Sequence, residues 1–136
     1  MRRSVFLAIA LIAACSHKTA DEKLLDATDP VASWSATLQL AAERWLGNSV
    51  PSSFARATVD AATKEFDKTG KEVAQSQASQ RLRDAIKVQL DNLHAAAGDF
   101  KQAIEKNDRR AVAACAHRFA EANQALQQLE NQKDSQ

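Results

Sequence analysis

The sequence predicts an all-α fold, an antiparallel up-down bundle of four helices in a single domain. Ala occurs 28 times in 136 residues, whereas Gly occurs three times, Pro twice and Tyr not at all. Such a composition favours helices and disfavours sheets. Four segments also carry apolar residues at spacings of three and four, which place these residues on one face of a helix. Short polar connections join the segments, as expected for antiparallel neighbours.

The overall charge bears on the kind of partner. The chain has 18 Lys and Arg against 17 Asp and Glu, for a net charge of +1. A nucleic-acid-binding domain carries a basic surface that neutralises phosphates, so the sequence predicts no nucleic-acid partner. Two cysteines are too few for a scaffold of disulfides.

Residues 1–14 have the pattern of a signal peptide. Arg2 and Arg3 are followed by the apolar run Val5–Ala14. A run of this length is too short to span a bilayer as a helix, which takes about 20 residues. A basic start followed by a short apolar segment is instead typical of a cleaved secretion signal.

The end of this segment carries a motif. Ile12, Ala13, Ala14 and Cys15 form an aliphatic residue, two small residues and a cysteine. This motif resembles the lipobox of bacterial lipoprotein precursors, with Ile12 where Leu is commoner. The resemblance implies that cleavage falls before Cys15 and that the Cys15 sulfur receives a diacylglycerol. The alternative is an ordinary cleaved signal peptide beside a cysteine that occurs there by chance.

The resemblance also implies a location. Two or more acyl chains anchor a protein stably to a bilayer. In the lipoproteins of Gram-negative bacteria, Asp after the lipidated Cys favours retention in the inner membrane. This chain has Ser16 there, which predicts the outer membrane, facing the periplasm. The mature chain has a net charge of −1, because Arg2 and Arg3 are removed, and a polybasic membrane patch is not indicated.

Residues 15–29 are predicted to be the lipidated Cys and a flexible tether. The segment is polar and mixed in charge. Within it, Thr19 and Glu22 have the spacing of a capping box, which allows a short helix through Leu25. Fully extended, such a tether would reach about 50 Å.

The bundle itself is predicted at residues 30–131. The first of its four helices should begin at Asp29 and Pro30, with Asp29 as N-cap. It should end at Gly47 and Asn48, both of which tolerate a left-handed C-cap. The apolar stripe of this helix consists of Val31, Trp34, Leu38, Ala41 and Trp45.

The second and third helices meet at a boundary that the pattern marks weakly. The second should start after Pro51, and the polar stretch 75–80 should separate it from the third, which runs from Gln80 to Lys106. One long helix from Lys71, in a three-helix arrangement, is the alternative. Gly98 in the third helix should let a neighbouring helix approach closely. The two stripes are Phe54, Thr58, Ala62, Phe66, Thr69 and Val73, then Leu82, Ile86, Leu90, Leu93, Ala97, Phe100 and Ile104.

The fourth helix has the most regular pattern in the chain. Asp108 should cap its N-terminus, and a polar tail should follow at residues 132–136. The stripe repeats at spacings of 3, 4, 3, 4 and 3 through Val112, Cys115, Phe119, Ala122, Leu126 and Leu129.

Cysteine and histidine do not combine into a predicted metal or haem site. Cys115 and His117 are two residues apart, so they point in nearly opposite directions on a helix. Cys115 is predicted to be a buried apolar residue and His117 to face solvent. His17 and His94 lie on other segments. The sequence predicts no metal and no other cofactor.

The two tryptophans also have a structural interpretation. Trp34 and Trp45 are eleven residues apart and share a helix face, which is usual for core residues. A surface that stacks a ligand or a partner is the alternative interpretation.

No catalytic motif stands out in the chain. The sequence therefore predicts a non-enzymatic, lipid-anchored protein that binds an envelope protein, as an adaptor, inhibitor or immunity factor. The binding groove is expected beside the first bundle helix, because this helix is shorter than the others. The alternative is a periplasmic bundle that senses a small ligand or a metal through a site in its core.

Overall fold

The computed structural model describes residues 17–135, in which all regular secondary structure is α-helical. The packing of α2 to α5 confirms the predicted bundle, because each helix contacts the next and α5 closes the ring against α2. A fifth, short helix, α1, contacts α2, α3 and α5. Within 17–135, each helix is too short or too polar to cross a membrane. The helices are α1 (Ala20–Ala27), α2 (Asp29–Leu46), α3 (Ser52–Gln75), α4 (Gln80–Glu105) and α5 (Arg109–Asp134).

Side-chain contacts between α3 and α4 establish that these two helices are antiparallel. Lys101 Nζ lies 3.0 Å from Asp60 Oδ1, and His94 Nε2 lies 3.2 Å from Asp67 Oδ1. Residue numbers therefore rise along α3 as they fall along α4. The break between these helices falls at residues 76–79, as predicted, and the three-helix alternative is wrong.

The turns after α2 and α4 use the same backbone conformation. Asn48 and Asn107 have positive φ angles of 56° and 52°, in the left-handed region that Asn tolerates better than most residues. Gly47, predicted to share this role, keeps an ordinary φ of −81°. A single Asn in the left-handed conformation thus follows α2 and α4 and lets the chain reverse after each of these two helices.

Three phenylalanines, Phe66, Phe100 and Phe119, are completely buried at the centre of the bundle. The rings of Phe100 and Phe119 meet edge to face, with centroids 5.8 Å apart. Most of the predicted stripe residues are buried as well, and Trp34, Leu82 and Leu129 are partly buried against the core. The periodicity therefore identified the buried face of each long helix.

Phe54 is the exception, because 53% of its surface is exposed. The predicted stripe ran from Phe54 to Phe66 in three steps of four residues. Each such step rotates a position by about 40°, since a turn contains 3.6 residues. Phe54 therefore lies about 120° from Phe66, and Ala55 takes its place in the core.

A smaller prediction is also wrong. Gly98 is exposed, and a Cβ atom placed on it would meet nothing within 4 Å, so it mediates no close helix contact. In the predicted polar tail, the described residues 132–135 are exposed, and the helix continues as far as Asp134. A helix end can extend past its last apolar residue because the backbone hydrogen bonds continue.

The segment predicted as a flexible tether forms α1 and packs against the bundle. Thr19 caps this helix by accepting a hydrogen bond from the Glu22 backbone N–H at 3.2 Å. Leu24 and Leu25 are buried. Only Thr28 separates α1 from α2. Thr28 is therefore the N-cap residue of α2, and Asp29, which was predicted to be the N-cap, is the first residue of the helix. The described part of the predicted tether is therefore fixed by packing from Ala20 onward.

Candidate functional site

Cys115 and His117 lie on different sides of α5, as predicted. Cys115 is 2% exposed, and its burial raises the pKa of the thiol. His117 is exposed and lies 3.1 Å from Glu121 Oε1, one turn along the same helix. A thiol kept protonated in the core is unreactive, so this pair does not form a site.

His94 belongs to a groove between α3 and α4. Besides its contact with Asp67, its ring packs edge to face against Phe66, with centroids 5.7 Å apart. The groove has a volume of about 460 Å³ and an apolar floor that includes Leu90. It is open to solvent, and Lys71 and other charged residues form its rim.

Helix α1 packs against α2 and α3, in the region beside the first bundle helix where the binding groove is expected. This helix extends the short α2 toward residues 76–79, where Asp21 contacts Ser79. A shallow groove of about 340 Å³ remains between α1 and the end of α3, with Leu24 and Glu72 among its lining residues. This groove is lined by α1 and by residues at and after the end of α3.

The end of the bundle that contains α1 is here called the α1 end, residues 17–31, 71–84 and 127–135. Asp21 accepts hydrogen bonds from the Ser79 backbone N–H at 2.7 Å and from the Ser79 hydroxyl at 3.2 Å. Because Ser79 precedes α4, this carboxylate also lies near the positive end of that helix dipole.

Carboxylates at the α1 end have opposite pKa shifts. The hydrogen bond that Asp26 accepts from Lys18 lowers the pKa of the Asp26 carboxyl. Burial, followed by the interaction with the Asp29 carboxyl, raises the pKa of the Glu130 carboxyl. Glu130 therefore lies close to Asp29, where the last turns of α5 meet the start of α2.

The opposite end is here called the distal end, residues 43–56 and 101–110. Trp45 Nε1 donates a hydrogen bond to Ser52 Oγ at 3.0 Å, which ties α2 to α3. The Arg109 guanidinium lies over the Trp45 ring, 5.9 Å from its centroid, and donates a hydrogen bond to the Leu46 carbonyl. Trp45 is thus a core residue, as predicted, and also holds the start of α5.

The sequence interpretation missed this end because its residues come from two distant segments. The predicted up-down topology could have revealed that these two segments are neighbours. In such a bundle the first and third turns lie at the same end, so residues 47–51 and 106–108 had to be neighbours. Trp45 and Arg109, which lie beside those turns, could have been paired on this ground.

The predicted lipidation site, Cys15, and the predicted signal peptide at residues 1–14 lie outside the described residues. Within residues 17–135, no three His, Cys, Asp or Glu side chains are grouped so that they could hold a metal ion. No protein-family model, curated protein or solved structure matches the chain.

Proposed function

We propose that the protein is a lipid-anchored, non-enzymatic module of the bacterial periplasm that binds another envelope protein. In this proposal Cys15 carries the acyl chains, and Ser16 directs the protein to the outer membrane. Support comes from the basic start at Arg2 and Arg3, the short apolar run and the motif Ile12–Cys15. A stable anchor supplies a location, and it raises the effective concentration of any partner in the same membrane.

The packing of α1 supports an anchor that holds the domain close to the bilayer. Cys15 precedes Ala20, the first residue of α1, by five residues. Even fully extended, this stretch spans about 18 Å, much less than the tether that the sequence suggested. The α1 end would therefore face the membrane. The distal end would lie farther away by the length of α4, whose 26 residues span about 39 Å.

The open shape of the grooves is the observation that favours protein binding over small-ligand sensing. The two grooves described above, of about 340 and 460 Å³, are open to solvent. So is a third groove of about 420 Å³ between α4 and α5, which Asn92 and Arg118 help to line. Sites for small ligands usually enclose most of the ligand surface. An open groove can instead accept a side chain from the surface of a partner protein.

Replacing the two cysteines separately tests the anchor. Cys15→Ser should move the protein from the membrane fraction to the soluble periplasmic fraction. Cys115→Ala is the matched control, because it removes the other cysteine and should leave the protein in the membrane. Mass spectrometry should find acyl groups on Cys15 in the wild type and in the control. A mature protein with an unmodified Cys15 thiol would contradict the anchor.

Purification from membranes tests the binding role. Crosslinking in intact cells, followed by purification of the acylated protein, should yield a discrete protein adduct. Absorbance spectra and metal analysis of the same sample should show neither a chromophore nor a stoichiometric metal. A stoichiometric metal or chromophore without a protein adduct would contradict the proposal and favour the sensor alternative.

A further inference from the structure

The two ends of the bundle carry charge of opposite sign. The distal end contains six basic and three acidic residues, and Asp60 at its border neutralises one of the six, Lys101, whereas the described α1 end contains six basic and eight acidic residues. The chain is nearly neutral overall, so this asymmetry comes from how the fold groups the charges. Basic residues of the distal end are Arg44, Arg56, Lys101, Lys106, Arg109 and Arg110.

Most of the positive charge at the distal end is available to a partner. Lys101 pairs with Asp60, and Arg109 is held by Trp45 and the Leu46 carbonyl. Within residues 17–135, the other four basic residues of this end form no salt bridge. Such a surface attracts an acidic partner and orients its approach.

An exposed aromatic side chain lies at the same end. Phe54 is in the first turn of α3 and is 53% exposed. Of the large apolar side chains that the described residues leave exposed, Phe54 alone is aromatic, and the others are Leu40 and Val88. Aromatic and Arg side chains contribute a large share of the binding energy in protein interfaces. The distal end therefore combines both kinds of residue with a net positive charge.

We infer that the distal end is the partner-binding surface and that it takes an acidic protein segment with an apolar side chain that packs on Phe54. The inference rests on the proposed function for the orientation of the domain. In that orientation the α1 end faces the bilayer, so the distal end is the part most accessible to a partner that extends into the periplasm.

The same orientation disfavours two other occupants. A second copy of the chain would have to offer its own acidic α1 end, which the anchor holds against the membrane. The anionic lipids of the anchoring membrane lie on the far side of the domain, about 39 Å of helix away. An acidic segment of another protein meets neither restriction.

Site-specific photocrosslinking in cells tests the surface with matched controls. The photoreactive residue p-benzoylphenylalanine would replace Phe54, Leu40 or Val88 in the full chain. These three side chains are similarly exposed, at 53%, 51% and 54%. Val88 lies in the middle of α4, away from the distal end, whereas Leu40 lies one turn of α2 before Arg44, at the border of that end. Position 54 should give a protein adduct at a yield at least about fivefold higher than position 88, and a higher yield than position 40, because Phe54 lies within the interface. The crosslinked peptide of the partner should carry a net negative charge.

Charge reversal tests the electrostatic part. Arg44→Glu combined with Arg110→Glu should lower the adduct yield at position 54 at least about fivefold, since like charges then face the acidic segment. Lys71→Glu combined with Lys133→Glu makes the same change in net charge at the α1 end, and should alter the yield less than about twofold. Circular dichroism and thermal unfolding would verify that both double variants are folded.

The outcomes separate this inference from the proposed function. Equal yields at all three positions, a lipid or nucleic-acid adduct, or no effect of reversal at Arg44 and Arg110 would overturn the distal-end site. An acylated Cys15 without a protein adduct at position 54 would overturn it too, and would leave the anchor standing. An acidic adduct at position 54 with an unmodified Cys15 would overturn the anchor and support the binding surface.

Discussion

The first and the last helices of the chain both pack against α2, but they are held by very different amounts of buried surface. Over 26 residues α5 buries six side chains, among them the whole of Phe119. Over eight residues α1 buries two, Leu24 and Leu25. Because stability varies with local packing, we expect α5 to unfold only with the whole bundle and α1 to open more readily.

Polar contacts have a correspondingly larger share in holding α1. Asp21 joins this helix to Ser79 over a sequence separation of 58 residues. A single hydrogen bond contributes about 1 kcal/mol, which is small beside the core of α5 but appreciable beside two leucines. The comparison shows that α1 is a docked element at the edge of the core, positioned by a few contacts that mutation can remove one at a time.

Replacing the central residue of α5 should have the largest effect. Phe119→Ala removes a completely buried ring that contacts Phe100, and should lower the free energy of unfolding by about 3–5 kcal/mol. Urea denaturation followed by circular dichroism measures this loss. Phe54→Ala is the matched control, because its ring is half exposed, and should cost less than about 0.5 kcal/mol.

A loss below about 1 kcal/mol for Phe119→Ala would contradict the packing of α5. A second, independent measure of the same packing is the reactivity of Cys115. Its thiol, 2% exposed, should react with a thiol reagent far more slowly than a free peptide does, because labelling requires the bundle to open.

The equivalent change in α1 should have a smaller and local effect. Leu24→Ala should cost about 2 kcal/mol, near the lower limit for a buried leucine, because α1 can undock instead of leaving a cavity. Hydrogen exchange should show loss of protection in residues 20–27 and little change in α5. Leu40→Ala replaces an exposed leucine, and it should leave the free energy of unfolding and the protection of residues 20–27 unchanged. Equal loss of protection in α1 and α5 would show that the two helices form one cooperative unit.

The contrast between the helices also explains what the sequence could predict. In α5 the apolar spacing repeats over many turns, so a single wrong residue would not obscure the buried face. In α1 the pattern covers two turns, and the adjacent Leu24 and Leu25 do not form a stripe. Only the capping residues Thr19 and Glu22 marked its start. A short helix docks through contacts with distant residues, which local periodicity does not contain.

The candidate surfaces show the same limit. Burial of Cys115 and exposure of His117 follow from positions on one helix and were predicted. The distal end is assembled from segments more than 40 residues apart, so its charge becomes visible only when the turns are placed together. Phe54 was assigned to the core because a spacing of four was extended over three steps.

The polar contact that docks α1 should contribute less than Leu24. Asp21→Ala removes the acceptor for both Ser79 hydrogen bonds and a negative charge near the start of α4, and should cost about 1 kcal/mol. Asp21→Asn keeps an acceptor without the charge, so it should cost less. Urea denaturation and hydrogen exchange of residues 20–27 measure both variants. An unchanged exchange rate in Asp21→Ala would show that the leucines alone dock the helix.

The smallest effect is expected where the end of α5 meets the start of α2, and it depends on pH. The pKa of the Glu130 carboxyl is raised above its ordinary value of 4.5, first by burial and then by Asp29. The folded state therefore holds the Glu130 proton more tightly than the unfolded state does. The protonated carboxyl stabilises the fold below about pH 4.5, and this contribution is lost as pH rises through the folded pKa.

Glu130→Gln removes this titration. The stability of the variant relative to the wild type should therefore increase with pH across this window, by roughly 0.3 kcal/mol because the carboxyl is largely screened by solvent. Asp26, whose own pKa is lowered, and Lys133 also act on the Glu130 carboxyl, so the difference between the two proteins reports the titration of Glu130 together with its effect on these neighbours. Thermal unfolding of both proteins between pH 4 and pH 7 measures the change, and a difference that is independent of pH, or that falls as pH rises, would contradict the assignment of Glu130.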